Sequence, residues 1–343
     1  MATHLGELFP GGVSGVRIRY IDYTPGLALT VQYEARTEAA GSPTVEAHAA
    51  THGDGWQLWA YPNDPVLSLL SADGDQLTKT LGVQPSDARV TRLAWVPQRR
   101  AVLRWGAFVV KLYGDPAELA RAERALRTLE GALPTAALIT SRADHGAVVQ
   151  QALGGRPFDR NDAIRRVGGA AEILQRLHRS AMEGLDDLDS ATLLAAASRP
   201  AALAAFAVPE LANRIRAVTD HLAATMPDVA DVVPVHGDFN IGQLLIDGDR
   251  SWVVDVDTLS KGSPSVDLAA YAANLHNGRD ADDGDVHAAL AALCDAYGPP
   301  PSDLTWHLAA TMFRRVDRPI RRLKKRWPQR TEAIVSAIER LLE

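Results

Sequence analysis

Residues 235–257 read Val235-His236-Gly237-Asp238-Phe239-Asn240-Ile241-Gly242-Gln243-Leu244-Leu245-Ile246, then Asp247-Gly248-Asp249-Arg250-Ser251, then Trp252-Val253-Val254-Asp255-Val256-Asp257. A short apolar strand delivers Asp238 into a polar loop, Gln243 follows five residues later, and a second apolar strand ends in Asp255. Phosphoryl transfer from a nucleotide needs this order: a carboxylate to orient the attacking hydroxyl, then two oxygen ligands for the Mg²⁺ on the phosphates. The tripeptide alone carries little. His52-Gly53-Asp54 repeats it with no second Asp-bearing strand behind it, so the signal lies in the spacing.

Bulk properties bound the reading. At 343 residues and 46% hydrophobic composition, the chain buries a large core and is expected to form two lobes. A net charge of −6 and a pI of about 5.9 argue against a general nucleic-acid binder, which carries a basic footprint. The single cysteine, Cys294, excludes an intrachain disulfide framework and fits a reducing compartment. The amino terminus lacks a basic segment followed by an apolar stretch. The Ala-rich stretch 191–207 is interrupted by Ser198, Arg199 and Pro200, so no membrane span is expected. The expectation is a cytoplasmic protein, monomeric or homodimeric.

Around the opening stretch the chain divides in two. Residues 16–60 alternate apolar and polar side chains, broken at Pro25-Gly26, as in strands joined by a turn. A related pattern at 95–105 reads either as a second, similar hairpin stacked in the same sheet or as the common look of strand-forming sequence. The run Ala107-Phe-Val-Val-Lys111-Leu-Tyr113 predicts a buried strand carrying one cation. Asp115 and Pro116 then suit the N-cap and first turn of a helix over about 116–130. A further strand, 146–153, runs into Gly154-Gly155-Arg156-Pro157, a natural connector. Beyond it lie Ala/Leu/Arg-rich helical segments near 160–180, 185–225, 265–277, 285–297 and 302–342. These readings give a two-lobed α+β architecture: an amino-terminal β-rich extension over 1–88, a sheet-rich lobe over 89–153 and a helical lobe over 154–343.

Four side chains carry the chemistry. Lys111, inside an apolar strand, must meet an anion or reach the surface. On the functional reading it sits on nucleotide phosphates, oriented by a helix carboxylate; Glu123 is the choice, with Glu118 and Glu130 open. Asp238 orients the substrate hydroxyl and takes its proton, while His236 hydrogen-bonds within the loop. Asp255 closes a buried strand where a bare carboxylate is costly, and Mg²⁺, which prefers oxygen ligands, resolves that cost. Gln243 completes the metal site with an amide oxygen one methylene further out than that of Asn, and Asp257 contributes through water. Asp267 is expected to tie the loop to its helix.

These residues resemble the aminoglycoside phosphotransferase and choline kinase group of small-molecule kinases. The resemblance rests on His236-Gly237-Asp238, Gln243, Asp255, Asp267-Leu268-Ala269 and the pair Leu177-His178, and spans about residues 89–330. It implies a protein-kinase-like fold and ATP or GTP bound between lobes near 150–154, with Gln150 and Ala152 beside the base. It also implies Mg²⁺ and transfer to a small-molecule hydroxyl. No Gly-x-Gly-x-x-Gly loop precedes Lys111, so the loop 96–99 must cover the phosphates, with Gln98 and Arg99 as contacts. Gln243 in place of the family's Asn is similar to maltokinases and some amino-sugar kinases. The late position of Lys111, which leaves the first 85 or so residues as an extension, also resembles maltokinases.

Other clusters are weighed and set aside. Glu46, His48 and His52 lie in strand and loop, where metal ligation is not expected. The Asp280–Asp285 cluster reads as a solvated helix start. From Arg314 to Arg330 there are nine Lys or Arg residues. Such runs are usually solvated faces, but Arg314, Arg315 or Arg318 could line the acceptor pocket and favour a neutral or anionic acceptor over a polycationic one. The expected activity is O-phosphorylation of an antibiotic, sugar- or nucleoside-containing or an aminoglycoside. A metabolic sugar kinase and a nucleotide-binding pseudokinase are the alternatives.

Overall fold

The computed structural model describes residues 13–24, 28–37, 44–52, 55–229, 231–275 and 283–343. The amino-terminal strands β1 (Val13–Thr24), β2 (Ala28–Thr37), β3 (Thr44–His52) and β4 (Trp56–Ala60) pair antiparallel in that order. A second sheet holds β5 (Val90–Val96), β6 (Arg100–Trp105), β7 (Phe108–Tyr113), β8 (Leu138–Arg142) and β9 (Ala147–Gln151), in the order β5-β6-β7-β9-β8. The two alternating stretches of sequence therefore belong to separate sheets rather than to one stacked sheet. His48 and His52 lie on a strand, as their sequence context suggests. The side chains of Glu46, His48 and His52, the pair Gly53-Asp54 and the cluster around Asp280–Asp285 lie outside the described residues.

Inside the second sheet, alternation places Ala101, Leu103 and Trp105 of β6 against Leu67, Leu70, Leu77 and Leu81. Each large apolar side chain buried this way contributes about 1.5–3 kcal/mol. The segment 67–81, placed by the sequence in the extension, thus shares the core of the second sheet. Its helix Gly74–Leu81 is closed by a capping box between Asp73 and Gln76.

The helix Pro116–Thr128 begins as its sequence dictates: Pro116 occupies the first turn and Asp115 accepts a hydrogen bond from the Ala117 amide. It packs against β7, β8 and β9 and against the turn Val256–Thr258. After the connector the chain is mostly helical, and one continuous apolar core runs through that lobe. The catalytic stretch interrupts it as strands Val233–Val235, Leu244–Asp247 and Arg250–Val253. The helix Ser190–Ala207 runs unbroken through Pro200, although Ser198, Arg199 and Pro200 interrupt its apolar sequence. By length and composition alone it is the one helix among the described residues able to span a membrane. Here its buried face, including Leu193, Ala197 and Leu203, joins the lobe's core.

The amino-terminal sheet touches the helical lobe. Tyr23 lies 5.6 Å, centroid to centroid, from Phe206. Asp22 forms ion pairs with Arg199 and with Arg321, and the Arg321 guanidinium sits 5.5 Å from the centre of the Tyr20 ring.

Candidate active site

The catalytic loop is held from its backbone outward. Asp267, fully buried in the helix Ser265–Leu275, accepts hydrogen bonds from the amides of His236 (2.8 Å) and Gly237 (2.9 Å). His178 faces the same carboxylate at 3.2 Å and is oriented by the Tyr297 hydroxyl at 2.8 Å. Asp267 thus ties the loop to its helix, the role expected for it. Gly237 adopts φ +82°, and a Cβ there would stand 2.8 Å from the Thr258 carbonyl oxygen; only glycine fits without displacement. His236 accepts from the Asp238 amide through Nδ1 at 3.4 Å, and its Nε2 lies 3.1 Å from the Val254 carbonyl oxygen. It is a fastener within the site, as its sequence reading proposed.

Asp238 emerges from this scaffold half-exposed, its side chain 43% accessible. One carboxylate oxygen accepts a 2.8 Å hydrogen bond from Arg315 Nη2. Arg315 is itself only 9% exposed, and burial lowers its pKa against the opposing pull of Asp238. Asn240 locks the next turn, donating to the Asp238 carbonyl (2.7 Å) and accepting from the Gly242 amide (2.9 Å). That turn returns Gln243, whose Nε2 lies 3.2 Å from Asp255 Oδ2. The two side chains assigned to the metal therefore meet. Rotation of the Gln243 amide brings its oxygen to the same place, and an amide oxygen with a carboxylate is a donor set that suits Mg²⁺.

A second cluster lies beneath β7. Lys111 is 4% exposed and donates to Asp255 Oδ1 (2.7 Å) and Asp257 Oδ1 (2.6 Å). Burial works against its charge, but the two carboxylates outweigh that and raise its pKa. Arg100 reaches both acids at 3.3 Å, and the Tyr113 hydroxyl donates to Asp257 Oδ2 at 2.6 Å. Burial, then Asp257, push the Tyr113 phenol far above its usual range. For Asp255 burial acts upward, yet Lys111 and Arg100 prevail and hold the carboxyl well below the ordinary carboxylate range. Asp255 occupies a left-handed conformation, φ 60° and ψ 44°, uncommon outside glycine and often found at functional sites.

Several expectations need correction. Glu123 does not pair with Lys111; it accepts from Arg127 at 2.8 Å, one helical turn along, and Arg127 holds its pKa down. Glu118 pairs with Arg99 at 3.3 Å. The physical reason is that the Val256–Thr258 turn brings Asp255 and Asp257 onto the ammonium first. Asp257 is therefore a direct partner of Lys111. Gln98 forms the left-handed corner of the turn between β5 and β6, φ 60°, but its amide already donates to Asp64 at 2.9 Å. Asp64 also receives the Trp95 indole at 3.0 Å. Gly114 lets this turn lie close, because a Cβ there would be 2.3 Å from the Gln98 carbonyl oxygen. Gln150 is buried within β9, and the Ala152 amide is spent on the Ala107 carbonyl at 2.9 Å.

The cationic segment separates into distinct places. Arg315 sits on Asp238, Arg318 lines a pocket beside the catalytic loop, and Arg314 forms no ion pair with a described residue. Sequence reasoning missed Arg100, Tyr113 and Asp64. The odd-numbered alternation of Lys111 with Tyr113 was a usable signal for the second; nothing local marks the other two.

Residues 97–304 match the profile of the phosphotransferase enzyme family, described as APH. That match covers more than half of the chain. The chain belongs to this family. No curated protein sequence matches it. Solved structures share the protein-kinase-like fold. A choline/ethanolamine kinase family protein from Mesorhizobium loti aligns with a TM-score of 0.55 at 15% identity, over 78% of this chain and 94% of that one. Aminoglycoside phosphotransferase APH(3'')-Id from Streptomyces rimosus gives 0.53 at 19% identity, over 67% and 93%. The streptomycin-ATP complex of APH(2")-IIa gives 0.53 at 13%, over 76% and 96%. In this phosphotransferase the matched region includes Lys111, Asp238, Gln243 and Asp255, and stops short of Arg315 and Arg318.

Proposed function

We propose that this phosphotransferase moves the γ-phosphoryl group of ATP or GTP to a hydroxyl of a small molecule in the cytoplasm, as a monomer or homodimer. The observation that carries the reading is convergence: the turn that follows Asp238 returns Gln243 to Asp255, and Asp255 and Asp257 hold Lys111. ATP is favoured by its presence in the complex of the neighbour named above. Gln243 and Asp255 would hold Mg²⁺, which when bound shields phosphate charge and orients the phosphate chain. Lys111 and Arg100 supply cations beside the same Asp255. Asp238, fixed on one oxygen by Arg315, orients the acceptor hydroxyl with the other. The hydroxyl oxygen forms a bond to the γ-phosphorus while the bond to the β-phosphate oxygen breaks. The hydroxyl proton passes to Asp238, and the nucleoside diphosphate leaves.

The acceptor reading is O-phosphorylation of a sugar- or nucleoside-containing compound, with antibiotic resistance as its consequence. A polycationic aminoglycoside is the poorest fit, because buried and half-buried arginines stand beside Asp238. Gln243 favours a second reading, a metabolic sugar kinase of maltokinase or glucosamine-kinase type. Incubation with Mg²⁺, ATP or GTP and a panel of nucleoside antibiotics, aminoglycosides and free sugars tests both, read by product mass. Asp238→Asn should lower transfer at least about 100-fold. Undiminished transfer by that variant would sink the mechanism.

A further inference from the structure

A cavity of about 400 Å³ opens next to the catalytic loop, walled by Ile241, Asn274, Leu275 and Pro319 and by six cations. The cations are Arg160, Arg318, Arg322, Lys324, Lys325 and Arg330, and no acidic side chain lines it among the described residues. Arg160 and Arg330 are partly committed, donating to the Leu275 and Lys325 carbonyls at 2.7 and 3.0 Å. Arg318, Arg322, Lys324 and Lys325 form no ion pair with a described residue. The cations crowd one another. Burial, then the neighbouring Arg315, push the Arg318 guanidinium down to about 9, with Arg322 and Arg321 acting in the same sense. Two non-glycine residues, Leu323 (φ 45°) and Arg326 (φ 59°), adopt left-handed conformations on either side of Lys324-Lys325. Strain of that kind persists where the surroundings impose it, often at ligand clamps.

Position gives the pocket its meaning. Ile241 belongs to the turn three residues beyond Asp238, and the charge of Asp238 is felt at Arg318. The volume suits a small metabolite. Mutually repelling, partly desolvated cations are relieved by an anion, and arginine forks match the planar or tetrahedral oxygens of carboxylate and phosphate.

Building on the proposed kinase activity, we propose that the acceptor carries its own phosphate or carboxylate, which Arg318, Arg322 and Lys324 seat in this pocket while its hydroxyl reaches Asp238. The enzyme would then select acceptors that are already negatively charged.

Two measurements test this, the first of them independent of catalysis. Inorganic phosphate is titrated by calorimetry into the full-length protein with the nucleotide site filled by Mg²⁺ and a non-hydrolysable ATP analogue. Wild type should bind, and both Arg318→Gln and the double variant Arg322→Gln/Lys324→Gln should bind at least about tenfold more weakly. The double variant changes exposed side chains only, so a folding defect in Arg318→Gln does not decide the matter. Absent binding by wild type, or equal binding by the double variant, overturns the proposal. Matched acceptors, glucose with glucose 6-phosphate and ribose with ribose 5-phosphate, are then compared for phosphoryl transfer. A charged member with at least about tenfold higher kcat/KM, lost in the double variant, supports it. Equal or better use of the neutral member overturns it. Phosphate binding that responds to the variants, without transfer to any acceptor, refutes the kinase reading while the anion site stands.

Discussion

Replacing Arg315 by methionine separates what this residue does for stability from what it does for catalysis. Arg315 is buried with its Nη1 atom unpartnered among the described residues, a deficit that costs about 1–3 kcal/mol. Its return is one ion pair to Asp238, whose side chain is 43% exposed; a pair so open to solvent contributes about 1 kcal/mol. The two nearly cancel, so Arg315→Met should leave stability unchanged or raise it by about 1–2 kcal/mol. Catalysis should respond otherwise. Without the 2.8 Å contact the Asp238 carboxylate rotates freely, and misplacing a reacting group by about 1 Å costs about 100-fold, or about 2.7 kcal/mol of transition-state stabilisation. Urea unfolding midpoints and kcat on the best acceptor of the panel give the two quantities. The KM for ATP should not change, and Arg315→Lys should restore part of kcat. A fall in stability of 3 kcal/mol or more with kcat unaltered would refute the reasoning, for Arg315 would then be a structural residue.

Three further outcomes follow from the geometry. Glu123→Gln should alter kcat/KM by less than about threefold, since Glu123 pairs with Arg127 rather than with Lys111; a loss beyond thirtyfold would return it to Lys111. Lys111→Met should abolish measurable transfer and change the acid side of the stability profile. Asp255 is held below its ordinary value in the folded protein, so its stabilisation is present above the unfolded pKa of about 4 and is lost as pH falls through the lower, folded value. The stability gap between wild type and Lys111→Met should therefore narrow as pH drops below about 4 in urea titrations, and a constant gap would contradict the assignment. Asp267→Asn removes a buried carboxylate that accepts two amide hydrogen bonds. It should cost about 3 kcal/mol, and a melting temperature within one degree of wild type would contradict that.

The readable parts of the site were those whose spacing is local. Asp238, Gln243 and Asp255 lie within eighteen residues of one another, just after one strand, in the next turn and just after a later strand, so geometry and sequence coincide. Lys111 was legible because an apolar strand makes a cation conspicuous. Its partners were not, because they come from a turn 144 and 146 residues away, and helix carboxylates at plausible distances competed for the same role. A local clue against Glu123 was present: Arg127 stands four residues on, the spacing of a helical ion pair. Arg315 was one of three arginines that the sequence offered for the acceptor pocket, against a solvated face; its contact with Asp238 crosses 77 residues and depends on how the last helices fold back. The two separate sheets were obscured because strands of either sheet carry the same alternation, and pairing partners are chosen by topology rather than by composition.

The ion pair between Asp22 and Arg321 ties the amino-terminal strands to the cationic segment. Arg321 immediately precedes Arg322 and follows Arg318 by three residues, and Asp22 and Tyr20 grip it from β1. The first strand thus holds the residue that stands next to one wall of the cationic pocket. Under the acceptor proposal, variation at Asp22, in a part of the chain outside the matched phosphotransferase region, would bear on the segment that carries Arg318 and Arg322.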